Sequence, residues 1–399
     1  MQKEVHMLDA QHENAPFIGF YNKHGIIPVT QDTRRPDFIF KRNSLYKLLG
    51  LPLPSLRDRT ILEFGPGGGY NALAVTHYTP KTYVFVDAST ASLDELKRKQ
   101  EANLFGNVAI EIIAENIINF EDDRKFDVVI TEGVLPGQKN PISMLKHISK
   151  FVSDDGYLII TTTTATSMLS EVCRRIFLPN ITSRYKSFED QLLASTQIFQ
   201  THLNTLKTTT RPIKDWVLDS IFNPWESSSG MCFTLLDSIN TLSSDFEFYG
   251  SSPQFLIDDR FYKKIGPNDL TSSTLVKQQF PLISLALIDY RIKILEVLEY
   301  GTSLELEPAC KTAYDLHTVI LADNSYDKLD QFFACLREIN GMIPCEFEAT
   351  TNSIQEFIDL FPRFLENPEA RAEFQSFSSW WGRGQQYVSF ISSGLNRLK

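Results

Sequence analysis

Short apolar runs alternate with longer helix-like segments between residues 59 and 165. The runs are rich in β-branched and aromatic residues, as buried strands are: Thr60–Phe64, Thr82–Val86, then VAIEIIA, FDVVIT and GYLIITTTT. The segments between them have helical patterns, and STASLDELKRKQEANL places Ser92 and Glu95 at capping-box spacing. Strands that alternate with helices pair in parallel. The pattern therefore predicts an α/β fold with a doubly wound, mostly parallel sheet.

The alternation stops after residue 165, where amphipathic helical segments dominate. Two strand-like runs, DFEFYG and QQYVSFI, stand far apart in this part of the chain, and an isolated terminal strand needs a sheet to join. We expect them to join the sheet, within 244–255 and 383–393. The other divisions that we expect are an N-terminal segment over 1–57, a sheet core over 58–165, a helical segment over 166–243, and a helical insertion over 256–382. The alternative for the last segment is a separate C-terminal helical domain.

Composition narrows the class of protein. The 399 residues are 42% hydrophobic and 22% charged, as in ordinary soluble domains, and the formal net charge is −10. An acidic chain argues against a general nucleic-acid partner. The most apolar stretch, FPLISLALIDYRIKILEVLEYG, is interrupted by Asp289, Arg291 and Lys293, so we expect no membrane span. The start of the chain lacks the apolar run of a signal peptide, and the five cysteines form no CxxC pair; both favour a cytoplasmic protein without a metal site.

The stretch ILEFGPGGGYNAL carries the most specific chemical signal. A dinucleotide fingerprint starting at Gly65 would need a glycine at position 70, where the chain has Tyr70. A P-loop is excluded because no Gly-Lys-Ser/Thr follows. The pattern is instead Glu63 followed by glycines at alternate positions 65, 67 and 69. Because strand ends meet at one edge of such a sheet, we expect this loop to lie beside Asp87, Glu115 and Glu132.

Residues 58–165 resemble the class I, Rossmann-like S-adenosylmethionine-dependent methyltransferases, whose sheet has seven strands. The resemblance implies that 244–255 and 383–393 hold the sixth and seventh strands, that 166–243 ends in the last core helix, and that 1–57 is a lid over the cofactor. LEFGPGGG is similar to the first motif of that family and VFVDAS to the second. IAENIINF stands where the adenine-contacting segment lies, and FDVVITEGVLPG resembles the fourth strand and its exit. LKHISKFVSDDGYLIITT is similar to the fifth-strand region. The ordered series is more specific than the glycine loop alone.

The resemblance implies a role for each residue around the cofactor. Glycines let its methionine end approach the backbone N–H groups, and Glu63 attracts the ammonium group. Asp87 accepts the ribose hydroxyls, Glu115 or Asn116 contacts the adenine amino group, and Ala88 packs near the ring. The expected cofactor site comprises Tyr21, Glu63, Gly65, Pro66, Gly67, Gly69, Asp87, Ala88, Glu115 and Asn116.

Two further residues are candidates for a general base. Members of this family often fold a preceding segment over the cofactor, and FIGFYNKHGIIPVTQDT is rich in polar and aromatic residues, which makes Tyr21, Asn22 and His24 candidates for the site. His24 is one candidate base. Glu132 is the other; it either faces the sulfonium or the acceptor, or caps the next turn.

The expected function is methyl transfer from S-adenosylmethionine to a small or medium-sized acceptor, such as a saccharide, a lipid-linked molecule or a secondary metabolite. The insertion over 256–382 would then be the acceptor cap. The strand-four exit lacks the Asp/Asn-Pro-Pro-Tyr sequence typical of enzymes that methylate amino groups of DNA bases or glutamine. The alternatives are a protein methyltransferase and a cofactor-binding module without turnover. An NAD-linked enzyme is disfavoured by Glu63 and Tyr70.

Overall fold

The computed structural model describes residues 16–224, 232–242, 245–266, 269–301 and 304–392. Within these residues seven strands form one sheet, which confirms the predicted fold class. The strands are β1 (Thr60–Phe64), β2 (Thr82–Asp87), β3 (Ala109–Ala114), β4 (Phe126–Thr131), β5 (Val152–Thr162), β6 (Phe246–Ser252) and β7 (Gln386–Ser392).

Helices occupy most of the remaining chain. In chain order they are α1 (Pro16–His24), α2 (Pro36–Leu48), α3 (Ala72–Thr76), α4 (Thr90–Glu101), α5 (Pro141–Ser149), α6 (Ala165–Arg175), α7 (Leu178–Arg184), α8 (Phe188–Asn204), α9 (Ile213–Val217), α10 (Leu235–Leu242), α11 (Ser272–Ile283), α12 (Ile294–Val297), α13 (Leu306–Asp323), α14 (Leu329–Met342), α15 (Glu348–Glu366) and α16 (Ser376–Ser379). Within the described segments, no helix has both the length and the apolar character that crossing a membrane requires.

The strand order is β3-β2-β1-β4-β5-β7-β6. Strands β1 to β5 pair in parallel, whereas β7 lies antiparallel between β5 and β6. Both neighbours of β1 run parallel to it, with Glu63 opposite Phe85 on β2 and Ile130 on β4. The order reverses at β1 and β4, which is where open α/β sheets bind ligands.

The predicted capping box at the start of α4 is wrong. Ser89 is the N-cap residue, and its hydroxyl accepts a hydrogen bond from the N–H of Ser92 inside the helix. The helix begins earlier than expected because the carboxylate of Asp87 binds the N–H of Ser89 at 2.8 Å and turns the chain directly after β2.

The chain divides into two compact units. The first spans Met1–Thr163, Pro224–Gln279 and Gln385–Lys399 and includes the sheet; the second spans Thr164–Asn223 and Phe280–Gly384 and is helical. Residues 256–279, which we expected in the second insertion, thus group with the sheet. The proposed acceptor-cap role of the helical part stays a prediction.

Helix α2 covers one face of the sheet. Its residues Phe38 and Tyr46 belong to an apolar cluster with Ile61 and Phe85 of the sheet. Arg42 lies between them on the same helical stripe, at the spacing of one turn, and is only 7% exposed. The apolar cover is thus interrupted by a buried charge close to the carboxyl ends of the strands.

Candidate cofactor site at the carboxyl ends of the strands

The loop after β1 depends on its glycines for two reasons. Gly65, Gly67 and Gly69 have φ angles of 65°, 55° and 72°, in the region that disfavours other residues. A Cβ atom on Gly69 would also stand 2.6 Å from Cδ2 of Leu96 on α4. The glycines therefore allow the loop to pack closely against the helix after β2.

Asp87 ties the glycine loop to the start of α4. Its Oδ2 accepts a hydrogen bond from the N–H of Gly67 at 3.2 Å, and its Oδ1 accepts one from the N–H of Ser89. The side chain is buried, and this desolvation raises the pKa of Asp87 to about 6 against the opposing effect of the N–H groups. A carboxylate has about four acceptor sites, so two bound N–H groups leave capacity for ligand hydroxyls.

Glu63, at the end of β1, is buried with a phenol as its hydrogen-bond donor. The hydroxyl of Tyr83 on β2 donates to its Oε2, and the residue is 4% exposed. Burial, reinforced by the negative charge of Glu132, raises the pKa of Glu63 to about 8. Ionised Glu63 therefore lacks a full charge partner and favours a cation in its neighbourhood.

Glu132, just after β4, has such a partner. Both of its carboxylate oxygens accept from Arg42, at 2.7 and 3.0 Å, in a bidentate pair that is almost fully buried. Asn71 Nδ2 donates to Oε2 at 3.0 Å, and the hydroxyl of Tyr46 donates to Oε1 at 3.4 Å. These four bonds occupy the carboxylate, which makes Glu132 a poor candidate for a general base. It forms an ion pair rather than the cap considered above.

The N-terminal segment lies against the glycine loop. Asn22 of α1 accepts hydrogen bonds at 3.1 Å from the hydroxyl of Ser89 and from the N–H and hydroxyl of Thr90. Pro28 is so near Gly67 that its carbonyl oxygen would lie 3.4 Å from a Cβ there. Tyr21 and His24 flank Asn22 in sequence, and both are half-buried; the His24 ring packs 4.6 Å from that of Phe20.

The comparisons with known proteins agree with this geometry. Residues 33–210 match the family model described as a methyltransferase domain. The match covers the glycine loop, Asp87 and the ordered strands β1 to β5. Residues 33–210, less than half of the chain, are therefore similar to a methyltransferase domain. The class I domains that they resemble use S-adenosylmethionine as methyl donor.

Curated relatives are similar to part of the chain. A release factor glutamine methyltransferase from Flavobacterium psychrophilum is 26% identical over 160 residues, which cover 38% of this chain and 52% of the relative. A tRNA U34 carboxymethyltransferase from Sulfurimonas denitrificans is 28% identical over 129 residues, which cover 32% of this chain and 42% of the relative. The chain thus spans about half or less of the length of these relatives.

Solved structures show likeness of the same kind. PKMT2 from Rickettsia typhi covers 63% of this chain and 51% of its own, at 17% identity and a TM-score of 0.39. The CcbJ methyltransferase from Streptomyces caelestis covers 36% of this chain and 56% of its own, at 17% identity and a TM-score of 0.28.

The charges in the methyltransferase domain fit the donor. Among the described residues of the site, Glu63, Asp87 and Glu132 contribute three carboxylates, and Arg42 contributes one guanidinium. A fully ionised site therefore carries an excess of two negative charges. S-adenosylmethionine has two positive groups, a sulfonium and an ammonium, and one carboxylate, so its net charge is positive. A pyrophosphate would instead add negative charge to a site that is already negative.

The turn after β3 shows how the two adenine candidates are held. The side chain of Asn116 accepts from the N–H of Ile118 at 3.2 Å and caps the short turn Ile117–Asn119. Glu115 Oε1 accepts from the N–H of Asn116 at 2.7 Å. Both residues, like Ala88, are half-buried at the carboxyl edge. Asn116 thus has a structural task, and Glu115 is the better candidate for the adenine amino group.

Sequence reasoning missed the residues that surround these carboxylates: Arg42, Tyr46, Asn71 and Tyr83. A signal was present for one of them. Arg42 stands at the centre of the otherwise apolar stripe Phe38–Arg42–Tyr46 of α2, and a charge at such a position needs a buried partner.

Proposed function

We propose that this protein is an S-adenosylmethionine-dependent methyltransferase. The observation that carries the proposal is the pairing of a glycine loop with two buried carboxylates, Glu63 and Asp87, whose pKa values are both raised. Each carboxylate gains from a ligand that supplies a positive charge or hydroxyl donors. The known chemistry of the methyltransferase domain supports the same ligand.

Each residue of the site would bind a different chemical group of the cofactor. Asp87 would accept the ribose hydroxyls and Glu63 would attract the ammonium group. The glycine-loop N–H groups would face the methionine carboxylate, and Glu115 would bind the adenine amino group. Methyl transfer is an in-line displacement from an activated leaving group, so orientation alone can lower the barrier by about 7–11 kcal/mol.

The acceptor that we favour is a small or medium-sized molecule. The strand-four exit reads Glu132-Gly133-Val134-Leu135-Pro136, without the Asp/Asn-Pro-Pro-Tyr sequence that would favour a glutamine or DNA-base amino group. His24 remains the candidate base for a hydroxyl or protonated amine acceptor, because Glu132 is already paired.

RNA is the second acceptor class. Two of the relatives are named for tRNA, and the segment from residue 23 to residue 47 carries several exposed cations despite the acidic net charge of the chain. These cations include Lys23, Arg34, Arg35 and Lys47, and the acidic residues of the segment are Asp32 and Asp37. Exposed cations of this kind neutralise phosphates locally.

The test begins with calorimetric titration of S-adenosylhomocysteine, with NAD as the control ligand. We expect micromolar binding of the adenosyl ligand, at least tenfold weaker binding to Asp87→Asn, and unchanged binding to Asp94→Asn, an exposed neighbour on α4. No binding of S-adenosylhomocysteine by the wild type would overturn the proposal.

The acceptor class is tested with methyl-labelled S-adenosylmethionine and three separate pools: small-molecule extract, tRNA and protein. Label in the small-molecule pool supports the favoured class. Label in tRNA, lost when Lys23 and Lys47 are changed to glutamate, supports RNA instead. Binding without label in any pool would favour the cofactor-binding module without turnover.

A further inference from the structure

Arg42 is a buried charge beside the cofactor site that the methyltransferase motifs do not explain. It comes from α2, outside the strand–helix alternation, and reaches the carboxyl ends of β1 and β4. Replacing a buried ion pair by apolar side chains is often neutral or stabilising, so fold stability alone is a weak reason for its presence.

The contacts of Arg42 link four parts of the site. It binds Glu132 after β4 in a bidentate pair, and its positive charge lowers the pKa of Tyr387 on β7 against the effect of burial. Asn71, which opens α3 after the glycine loop, donates to the same carboxylate. Gln31 of the N-terminal segment donates to Asn71 Oδ1 at 2.8 Å. The chain Arg42–Glu132–Asn71–Gln31 therefore joins α2, β4, the glycine loop and the N-terminal segment.

We propose that Arg42 is a positioning residue of the cofactor site: by binding Glu132 it leaves Glu63 as the carboxylate that meets the ammonium group of the ligand. This inference rests on the proposed function. Glu63 and Glu132 end neighbouring strands, and Glu63 lies opposite Ile130, two residues before Glu132. Without a cation between these strand ends, two carboxylates would compete for the same positive group.

The groups that face Glu63 come from three elements. Tyr83 and Asp87 lie on β2, Glu132 follows β4, and Arg42 and Tyr46 lie on α2. Arg42 and the Tyr83 hydrogen bond lower the pKa of Glu63, whereas burial, Glu132 and Asp87 raise it. Removing Arg42 and removing Glu132 must therefore change the ionisation of Glu63 in opposite directions.

The experiment measures S-adenosylhomocysteine affinity from pH 6 to 9 by calorimetry. The proteins are wild type, Arg42→Met, Glu132→Gln, the double variant, Arg42→Lys and the control Lys41→Met, an exposed change on the same helix. We expect the midpoint of the affinity profile to rise by about one pH unit in Arg42→Met, equivalent to tenfold weaker binding at pH 7. The midpoint of the affinity profile should fall in Glu132→Gln and return close to the wild-type value in the double variant. In Arg42→Lys and Lys41→Met the midpoint should stay near the wild-type value.

Urea unfolding of each variant separates this role from a structural one. Midpoints that coincide in all variants, with only stability or overall affinity reduced, would overturn the inference and leave Arg42 a purely structural residue. If Arg42→Met does not fold, the downward shift in Glu132→Gln and its absence in Lys41→Met decide the question. Failure of the wild type to bind at any pH would instead refute the proposed function, and this inference with it.

Discussion

The two compact units differ in the buried charges that they hold. At the carboxyl edge of the sheet, the carboxylates of Glu63 and Asp87 have raised pKa values and neutral donors as partners. In the helical unit, the guanidinium of Arg174 donates to carbonyl oxygens of Ser170 and Trp380 at 3.0 and 2.7 Å. Among the described residues, no cation donates to either carboxylate of the first group, whereas the Nη1 and Nη2 groups of Arg174 are held by main-chain carbonyls of its own unit, with only its Nε left without a hydrogen-bond partner. Buried charge therefore indicates a ligand site in one unit and internal support in the other.

The largest effect is expected in the helical unit. Arg174 is fully buried, donates to main-chain carbonyl groups and lies 3.8 Å from the ring centroid of Trp381. Arg174→Met leaves these carbonyls without their charged donor and should lower the free energy of unfolding by about 3–5 kcal/mol. Urea denaturation measures this change. Arg363→Met, which breaks an exposed pair with Glu373, should cost less than about 1 kcal/mol.

Calorimetry on the folded Arg174→Met variant sharpens the comparison. We expect S-adenosylhomocysteine affinity to remain within about twofold of wild type, because Arg174 belongs to the unit without the glycine loop. A tenfold loss of affinity would show that the two kinds of buried charge are not independent.

The next largest effect is expected at Glu63. Because the folded-state pKa of about 8 exceeds the ordinary value of 4.5, the folded protein holds this proton more tightly and loses stability as pH rises through that window. Glu63→Gln should remove that loss, which amounts to about 3 kcal/mol between pH 5 and pH 8. Urea unfolding across this range tests it, with the exposed Glu111→Gln as control.

The same substitution should weaken the ligand site. Glu63→Gln removes the carboxylate that meets the ammonium group, so we expect about tenfold weaker S-adenosylhomocysteine binding at pH 8. A variant that is more stable and still binds as well as wild type would contradict the assignment of Glu63 to the ligand.

A smaller change is expected from Tyr83→Phe. The phenol donates to Glu63, and its loss removes a hydrogen bond that favours the ionised carboxylate. Binding of S-adenosylhomocysteine at pH 7 should weaken by about three- to tenfold and recover as pH rises. Tyr78→Phe, a half-buried tyrosine hydrogen-bonded to Asn43, serves as the matched control.

The smallest effect is expected at the turn after β3. Asn116→Ala removes the side-chain cap of Ile117–Asn119 and should lower stability by about 1 kcal/mol, with at most a few-fold change in affinity. Glu115→Gln should change stability less and affinity more, if Glu115 binds the adenine amino group. Equal affinity losses in both variants would reverse that assignment.

The site residues that the sequence predicted are close to one another along the chain. Glu63 and the glycines occupy one strand and its loop, and Asp87 ends the next strand, so local pattern and strand ends were sufficient to bring them to one edge. The parallel strands β1 to β5 were predictable for the same reason, whereas the sixth and seventh strands, which are far apart in sequence, were expected from the family resemblance. The sequence did not predict that Asp87 also accepts hydrogen bonds from the N–H groups of Gly67 and Ser89, and its role toward the ribose stays a prediction.

The unpredicted part depends on long-range contacts. Arg42 and Glu132 are separated by 90 positions. No local sequence pattern predicts which buried charged residue pairs with a side chain of a helix outside the strand–helix alternation. The same holds for Gln31 and Asn71, which are 40 positions apart. The sequence alone also does not distinguish an acidic residue near a strand end that faces a ligand from one that binds a guanidinium. Glu63 is of the first kind in our proposal, and Glu132 is of the second.

The most direct test of the acidic site is the number of protons released when S-adenosylhomocysteine binds at pH 7. Calorimetry in buffers of different ionisation enthalpy measures it. Because Glu63 is mostly protonated at pH 7 without ligand, ionisation on binding should release about one proton in the wild type and almost none in Glu63→Gln. Tight binding without proton release in the wild type would contradict the claim that Glu63 meets the cationic end of the cofactor.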